Sequence, residues 1–336
     1  MKNPRPALIR STAAILALAL LTACTPELPP LEVDQELVEA EFPVLTENQM
    51  ASIAQTVGES LGAADAEKDP DALEDRVTGP ALTIREAEYK IAKAQKSDDS
   101  LTELPSTMQS IFMTTRQTWP RTVFGVSERP QNLEAERFVI YTQESAQTNY
   151  ELWGWFALFP GITVPTFAAS GVGTQEISDL DETLQVSPEE AIDQYVSLLK
   201  KPAGDAKEVF ETENDTFVDE ISDLRKYMKD AAKQVEGTYK ETIKPSGDWH
   251  ALKTIDGGAV IVTSLNLSGT LKGESGAIVT PSAMEKAFLK KGTKASNALT
   301  VKRTAIVGIY VPPKEQAVKP QALGRLLKTT GASVPD

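Results

Sequence analysis

A single cysteine, Cys24, in a chain of 336 residues limits what can hold this protein together. No intrachain disulfide can form and no thiolate cluster can bind a metal, so stability has to come from a buried core. A lone histidine, His250, likewise excludes a multi-histidine metal site. The length provides for such a core, as one large domain or two ordinary ones. With 34 basic and 48 acidic residues the formal charge is −14. That balance favours solubility and opposes nonspecific binding to nucleic acid, which is not expected as a partner.

The N-terminus has the anatomy of a secretory signal. Lys2, Arg5 and Arg10 precede an apolar run from Ala13 to Leu20, and Thr22, Thr25, Pro26 and Glu27 end that run. It is far shorter than the roughly 20 apolar residues a membrane-spanning helix needs. Leu21-Thr22-Ala23-Cys24 closes it, and this tetrapeptide resembles the lipobox of bacterial lipoproteins. The resemblance implies cleavage before Cys24, with a diacylglycerol and an N-acyl chain on that residue and no other cofactor. The mature chain then carries 31 basic against 48 acidic groups, a charge near −17. Its location is expected to be the outer, extracytoplasmic face of the cell membrane. Residues 1–23 are read as signal peptide and residues 24–45 as a tether, in which Pro26, Pro29 and Pro30 keep the chain extended and clustered acids repel one another.

Helical periodicity begins at Thr46, where Thr46 and Gln49 form a capping box ahead of Met50, Ile53, Ala54, Val57 and Leu61. Asp69-Pro70-Asp71 starts a short helical piece that Gly79-Pro80 stops. Ala81 to Ile91 mixes alternation at Leu82, Ile84 and Tyr89 with helix formers, and is read as a strand. Met108 to Val126, Glu136 to Glu144 and Tyr150 to Phe159 are predicted strands, rich in β-branched and aromatic residues.

The second half repeats this order. Ser187-Pro188-Glu189-Glu190 caps a helix carrying Ile192, Tyr195, Val196 and Leu199, and Phe217, Val218, Ile221, Leu224 and Met228 line another. Strands are predicted over Tyr239–Lys244, Trp249–Ile255, Ala259–Leu271 and Leu299–Val311, with Asp256-Gly257 as a hairpin turn. A short helix is expected near Pro281–Lys290 and a closing one from Pro320 to Lys328. Gly161 to Gln185 reads as the linker between the halves.

Helices first and antiparallel strands afterwards, twice over, predict an α+β protein of two tandem cone-like domains, each with N-terminal helices packed on a curved sheet. The expected boundaries are residues 46–160 and 187–336, with residues 161–186 between them. The layout resembles the cone-shaped domains of the nuclear transport factor-like and cystatin-like group. With its lipobox and acidic spacer, the whole also resembles uncharacterised actinobacterial lipoproteins that carry a domain of unknown function. Such folds host enzymes and binding modules alike, so the resemblance assigns no catalytic residue.

The residues themselves supply no catalytic set. No G-x-S-x-G motif accompanies His250, and the glycine pairs at 171/173, 257/258 and 273/276 lack the lysine and helix of a phosphate loop. Trp119, Tyr141, Trp153 and Trp155 are the candidate pocket, either stacking on a sugar-like ligand or filling the sheet's interior. In an unbroken strand Trp153 and Trp155 would face one side, opposite Phe156. The expected function is a non-enzymatic binding or assembly module at the cell envelope, meeting a membrane protein or a cell-wall ligand. A solute-binding lipoprotein of a transporter is the runner-up, and an envelope hydrolase using paired carboxylates the third.

Overall fold

The hydroxyl of Thr46 accepts from the Gln49 amide (3.3 Å) and the Gln49 side chain accepts from the Thr46 amide (2.8 Å), the reciprocal box expected there. In the computed structural model, which describes residues 42–335 apart from Glu74, Leu133, Lys294 and Ala295, this box opens helix α1, Glu47–Glu67. Its buried face is Met50, Ala54, Val57, Leu61 and Ala64. The signal peptide, the lipobox and most of the tether lie outside the described residues. No helix among the described residues is long and apolar enough to cross a membrane.

A 3-10 turn over Pro70–Leu73 leads to helix α2, Gly79–Gln95. Gly79-Pro80 therefore starts a helix instead of stopping one, and the strand expected over Ala81–Ile91 is helical. Proline fits the first helical turn, where its missing N–H has no intrahelical partner. The buried stripe of α2 includes Ala81, Ile84, Arg85, Glu88 and Ala92. This is helical spacing, but two charged members conceal it from a reading by hydrophobicity.

Strands β1 (Met108–Met113), β2 (Arg121–Ser127), β3 (Arg137–Gln143) and β4 (Glu151–Leu158) follow as an antiparallel meander. The run expected from Met108 to Val126 is thus two strands with a reversal between them. Helix α3, Pro188–Lys200, is capped by Ser187, whose hydroxyl accepts from the Glu190 amide (3.3 Å). A short α4, Ala206–Val209, and a longer α5, Thr216–Gln234, come before a second meander. That meander comprises β5 (Thr238–Lys253), β6 (Ala259–Lys272), β7 (Ala298–Val311) and β8 (Gln321–Ser333), with the one-turn α6 (Ala283–Lys286) between β6 and β7.

The terminal helix expected over Pro320–Lys328 is in fact strand β8, and tertiary pairing explains the reversal. Leu323 is fully buried, β7 pairs with β8 along its length, and β4 pairs with its other edge at Leu158↔Gly324 and Ala157↔Arg325. Here the strands approach so closely that a Cβ on Gly324 would lie 2.2 Å from the Ala157 carbonyl oxygen.

The β4–β8 pair fuses the two meanders into one curled, antiparallel sheet of order β1-β2-β3-β4-β8-β7-β6-β5. The two expected halves are present as helix-then-strand runs, yet they share a sheet, and Glu41–Asp336 forms one compact unit. The expected linker is a brace. Thr174 donates to the Met113 carbonyl (2.8 Å) and accepts from the Thr115 amide (2.9 Å), while Lys253 donates to Gln175 (2.9 Å) and Ile177 to Ala251 (3.0 Å). It thereby bonds to β1 and its extension on one side and to β5 on the other, covering two strand edges that would otherwise stay open.

Two cores result. Alternation along β6 sends Val260 and Val262 into the first, with Phe124, Phe138, Phe156, Ile306 and Leu323. It sends Ile261 and Leu265 into the second, with Ile192, Tyr195, Leu199, Phe217 and Ile221 from α3 and α5. A strand covered on both faces reads as a continuous apolar run, as Ala259 to Val262 does.

Candidate functional site

The four candidate aromatic residues do not share a pocket. Trp155 and Tyr141 are buried in the first core, where the Arg85 guanidinium lies 5.5 Å from the Trp155 ring and Tyr141 lies beside residues of α1. A bulge in the β3–β4 pairing leaves Trp153 unpaired, so the two-residue alternation stops at that point. Trp153 is buried in the same core and meets the His250 ring edge-on at 4.7 Å. Trp119 is 37% exposed. Its indole N–H donates to Gln143 Oε1 (3.0 Å), and Arg121 stacks over its ring at 4.1 Å.

His250, read as an ordinary strand residue, sits where β5 crosses the start of β2. Its Nδ1 is 3.2 Å from the Thr122 hydroxyl, and its buried Nε2 has no hydrogen-bond partner within the protein. Burial lowers its pKa to about 4, so the imidazole is neutral across physiological pH. Glu176 of the brace completes the arrangement by accepting from the Thr122 amide (2.8 Å) and pairing with Arg116 (3.0 Å). No hydroxyl, imidazole and orienting carboxylate form a triad here. The Thr122 hydroxyl does touch His250, but the neighbouring carboxylate binds the Thr122 backbone and Arg116 instead of orienting the imidazole.

Two buried carboxylates are also committed to holding elements together. Glu88 accepts from Arg85 (3.0 Å) and from the Thr102 hydroxyl (2.6 Å), and pairs with Lys328 of β8 (2.8 Å). Asp215 caps α5 by accepting from the Phe217 and Val218 amides (3.0 and 3.2 Å), and accepts a hydrogen bond from the Tyr195 hydroxyl on its other oxygen (2.9 Å). Burial raises the Asp215 pKa, against the lowering effect of those bonds. The sequence flags Tyr195 as apolar and does not identify Arg85, Glu88 or Asp215. The one available signal was the helical spacing of Arg85 and Glu88 with their apolar neighbours.

An open groove of about 930 Å³ runs along the outer side of α3. Asp179, Glu189, Glu190, Asp193 and Asp205 line it against Lys200 and Lys201. A smaller cleft of about 420 Å³ lies between α5 and the outer strand β5, with Lys200, Arg225, Lys229 and Lys244 around Glu241. Among the described residues no group of three or more histidine, cysteine or carboxylate side chains is placed to hold a metal ion. The chemistry on offer in the α3 groove is polar recognition by hydrogen bonding and charge.

Neither the curated proteins nor the solved structures contain a match to this chain. Residues 41–333 match the model of a family described as a domain of unknown function (DUF8094), and the chain belongs to that family.

Proposed function

We propose that this protein is a lipid-anchored module on the outer face of the cell membrane that binds a partner at the envelope and catalyses no reaction. The observation that carries the anchor is Leu21-Thr22-Ala23-Cys24, whose cysteine is the only one in the chain and lies directly behind a secretory signal. Binding through the α3 groove is supported by the charged side chains that line it and by the structural commitment of Glu88 and Asp215, the buried carboxylates among the described residues. An acid-lined groove suits a partner presenting cationic or hydrogen-bond-donor groups, on a membrane protein or a wall polymer. The order of helices and strands in each half supports descent from two nuclear transport factor-like cones fused edge to edge, within a lipoprotein of actinobacterial type.

The test is fractionation of cells expressing the full chain or Cys24→Ser, with mass spectrometry of the mature N-terminal peptide. The expected result is a peptide beginning at an acylated Cys24 in the membrane fraction, and release of the variant from that fraction. Crosslinking in intact cells then tests binding. A specific adduct on the α3 groove, lost on reversing Glu190 and Asp193 to lysine, is expected. An unmodified N-terminus overturns the anchor, and turnover of a wall polymer that depends on one carboxylate pair overturns the non-catalytic reading.

A further inference from the structure

Several of the most exposed large apolar side chains gather on segments that touch one another at one end of the molecule. Phe42, Val172 and Ile255 are 67%, 62% and 65% exposed, and Trp119, in the β1–β2 reversal that also carries Gln117, is 37% exposed. Hydrogen bonds and close approaches connect these segments. The Gln117 side chain donates to the Phe42 carbonyl (3.0 Å), and Gly173, next to Val172, sits so close to Pro43 and Thr115 that a Cβ there would meet both. The Ile255 amide donates to the Thr166 carbonyl (2.9 Å), and the Thr174 hydroxyl to the Lys253 carbonyl (2.5 Å). Such tips stand singly on polar loops and form no continuous apolar plate of the kind a permanent protein interface buries.

We propose that this end of the molecule rests on the lipid surface, with Phe42, Trp119, Val172 and Ile255 inserted at the headgroup level. The inference rests on the lipid-anchor reading for its geometry: residues 24–41 join the acylated cysteine to the body at Phe42, so the tether enters through this patch. Even fully extended, that segment reaches about 60 Å. The patch is therefore held near lipid at high effective concentration, and weak apolar contacts suffice to seat it. Trp119 has the chemistry of an interfacial anchor, an apolar ring with a polar N–H and the Arg121 guanidinium stacked on it. With the body seated this way the strongly acidic protein meets the membrane through apolar tips and arginines, and contact does not depend on its net charge.

The experiment uses the full mature chain in phosphatidylcholine vesicles carrying bromine-labelled acyl chains, with the acyl mass on Cys24 measured in the same preparation. The expected result is quenching of tryptophan fluorescence by shallow bromines, lost in Trp119→Phe, since Trp153 and Trp155 are buried and Trp249 packs against the second core. Acylated protein without Trp119 quenching overturns the inference while leaving the anchor intact, as does crosslinking of positions 119 and 172 to a protein partner. If Cys24 carries no lipid, the anchor reading fails separately, and vesicle sedimentation of the unacylated chain decides. Co-sedimentation reduced several-fold by a combined Phe42→Ser, Val172→Ser and Ile255→Ser variant sustains the inference, and its absence in the parent chain overturns it.

Discussion

Burying His250 as a neutral imidazole makes stability depend on acid. Its folded pKa of about 4 lies below the ordinary 6.5, so between those values the unfolded chain binds more protons than the folded one. Its contribution is fully present above pH 6.5 and is lost as the pH falls toward 4, to a total on the order of 3 kcal/mol. Urea unfolding at about pH 7.5 and about pH 4.5 should show this loss in the parent protein and a smaller one in His250→Gln; equal losses would remove His250 as the cause. Asp215 acts in the opposite sense. Its folded pKa is raised by burial, so the folded state binds the extra proton, and its ionised form costs stability at neutral pH. Asparagine is as good a helix cap as aspartate, so Asp215→Asn should melt at or above the parent temperature at neutral pH. Asp215→Ala, which loses the cap and the Tyr195 acceptor, should lose about 2 kcal/mol or more. Calorimetry of the two variants side by side separates charge from capping.

At the scale of elements, β8 is the decisive strand, because among the named strands its ladder with β4 is the one that joins the two meanders. Gly324→Val should split the β4–β8 pair, since the added Cβ meets the Ala157 backbone and no flexible side chain can yield. Overpacking of this kind costs about 1–3 kcal/mol or more. Hydrogen exchange should show protection lost first at Leu158 and Phe159, whereas the hairpin of β5 and β6 keeps its protection; uniform loss would deny β8 this joining role. That this element is a strand was not legible locally. Gln321 to Lys328 is rich in Leu and Ala, and its strand character comes from partners distant in sequence. Helix α2 was hidden for a different reason, since Arg85 and Glu88 occupy its buried stripe. Features satisfied within a few residues were read correctly: the caps at Thr46 and Ser187, and the Asp256-Gly257 turn, where the Asp256 carboxylate accepts from Thr254 and Gly258. The aromatic set was legible as residues but not as an arrangement. One bulge beside Trp153 changes the phase of β4, and nothing local announces it.

For the whole molecule the question is whether the repeat in the chain is also a repeat in stability. Separate cones would each close their own core. Here Phe124, Phe138 and Phe156 of the first meander instead pack with Val260, Val262, Ile306 and Leu323 of the second, and Glu88 of α2 pairs with Lys328 of β8. Exposing a buried side chain of this size costs about 1.5–3 kcal/mol, and a folded domain has only about 5–15 kcal/mol in reserve. Separating the halves would therefore strip the first core of its second-meander side chains and the second core of Phe159, Ile177 and Leu184, and it would also bare the second edge of β4 and release the brace from β5. Residues 42–186 and 187–336, expressed separately, should each lack a cooperative melting transition. Mixed, they should recover one, and the intact chain should show a single transition coincident by fluorescence and circular dichroism. A half that melts cooperatively alone, or an intact chain that melts in two steps, would mean that each half closes its own core and that the shared sheet is a docking of two finished domains.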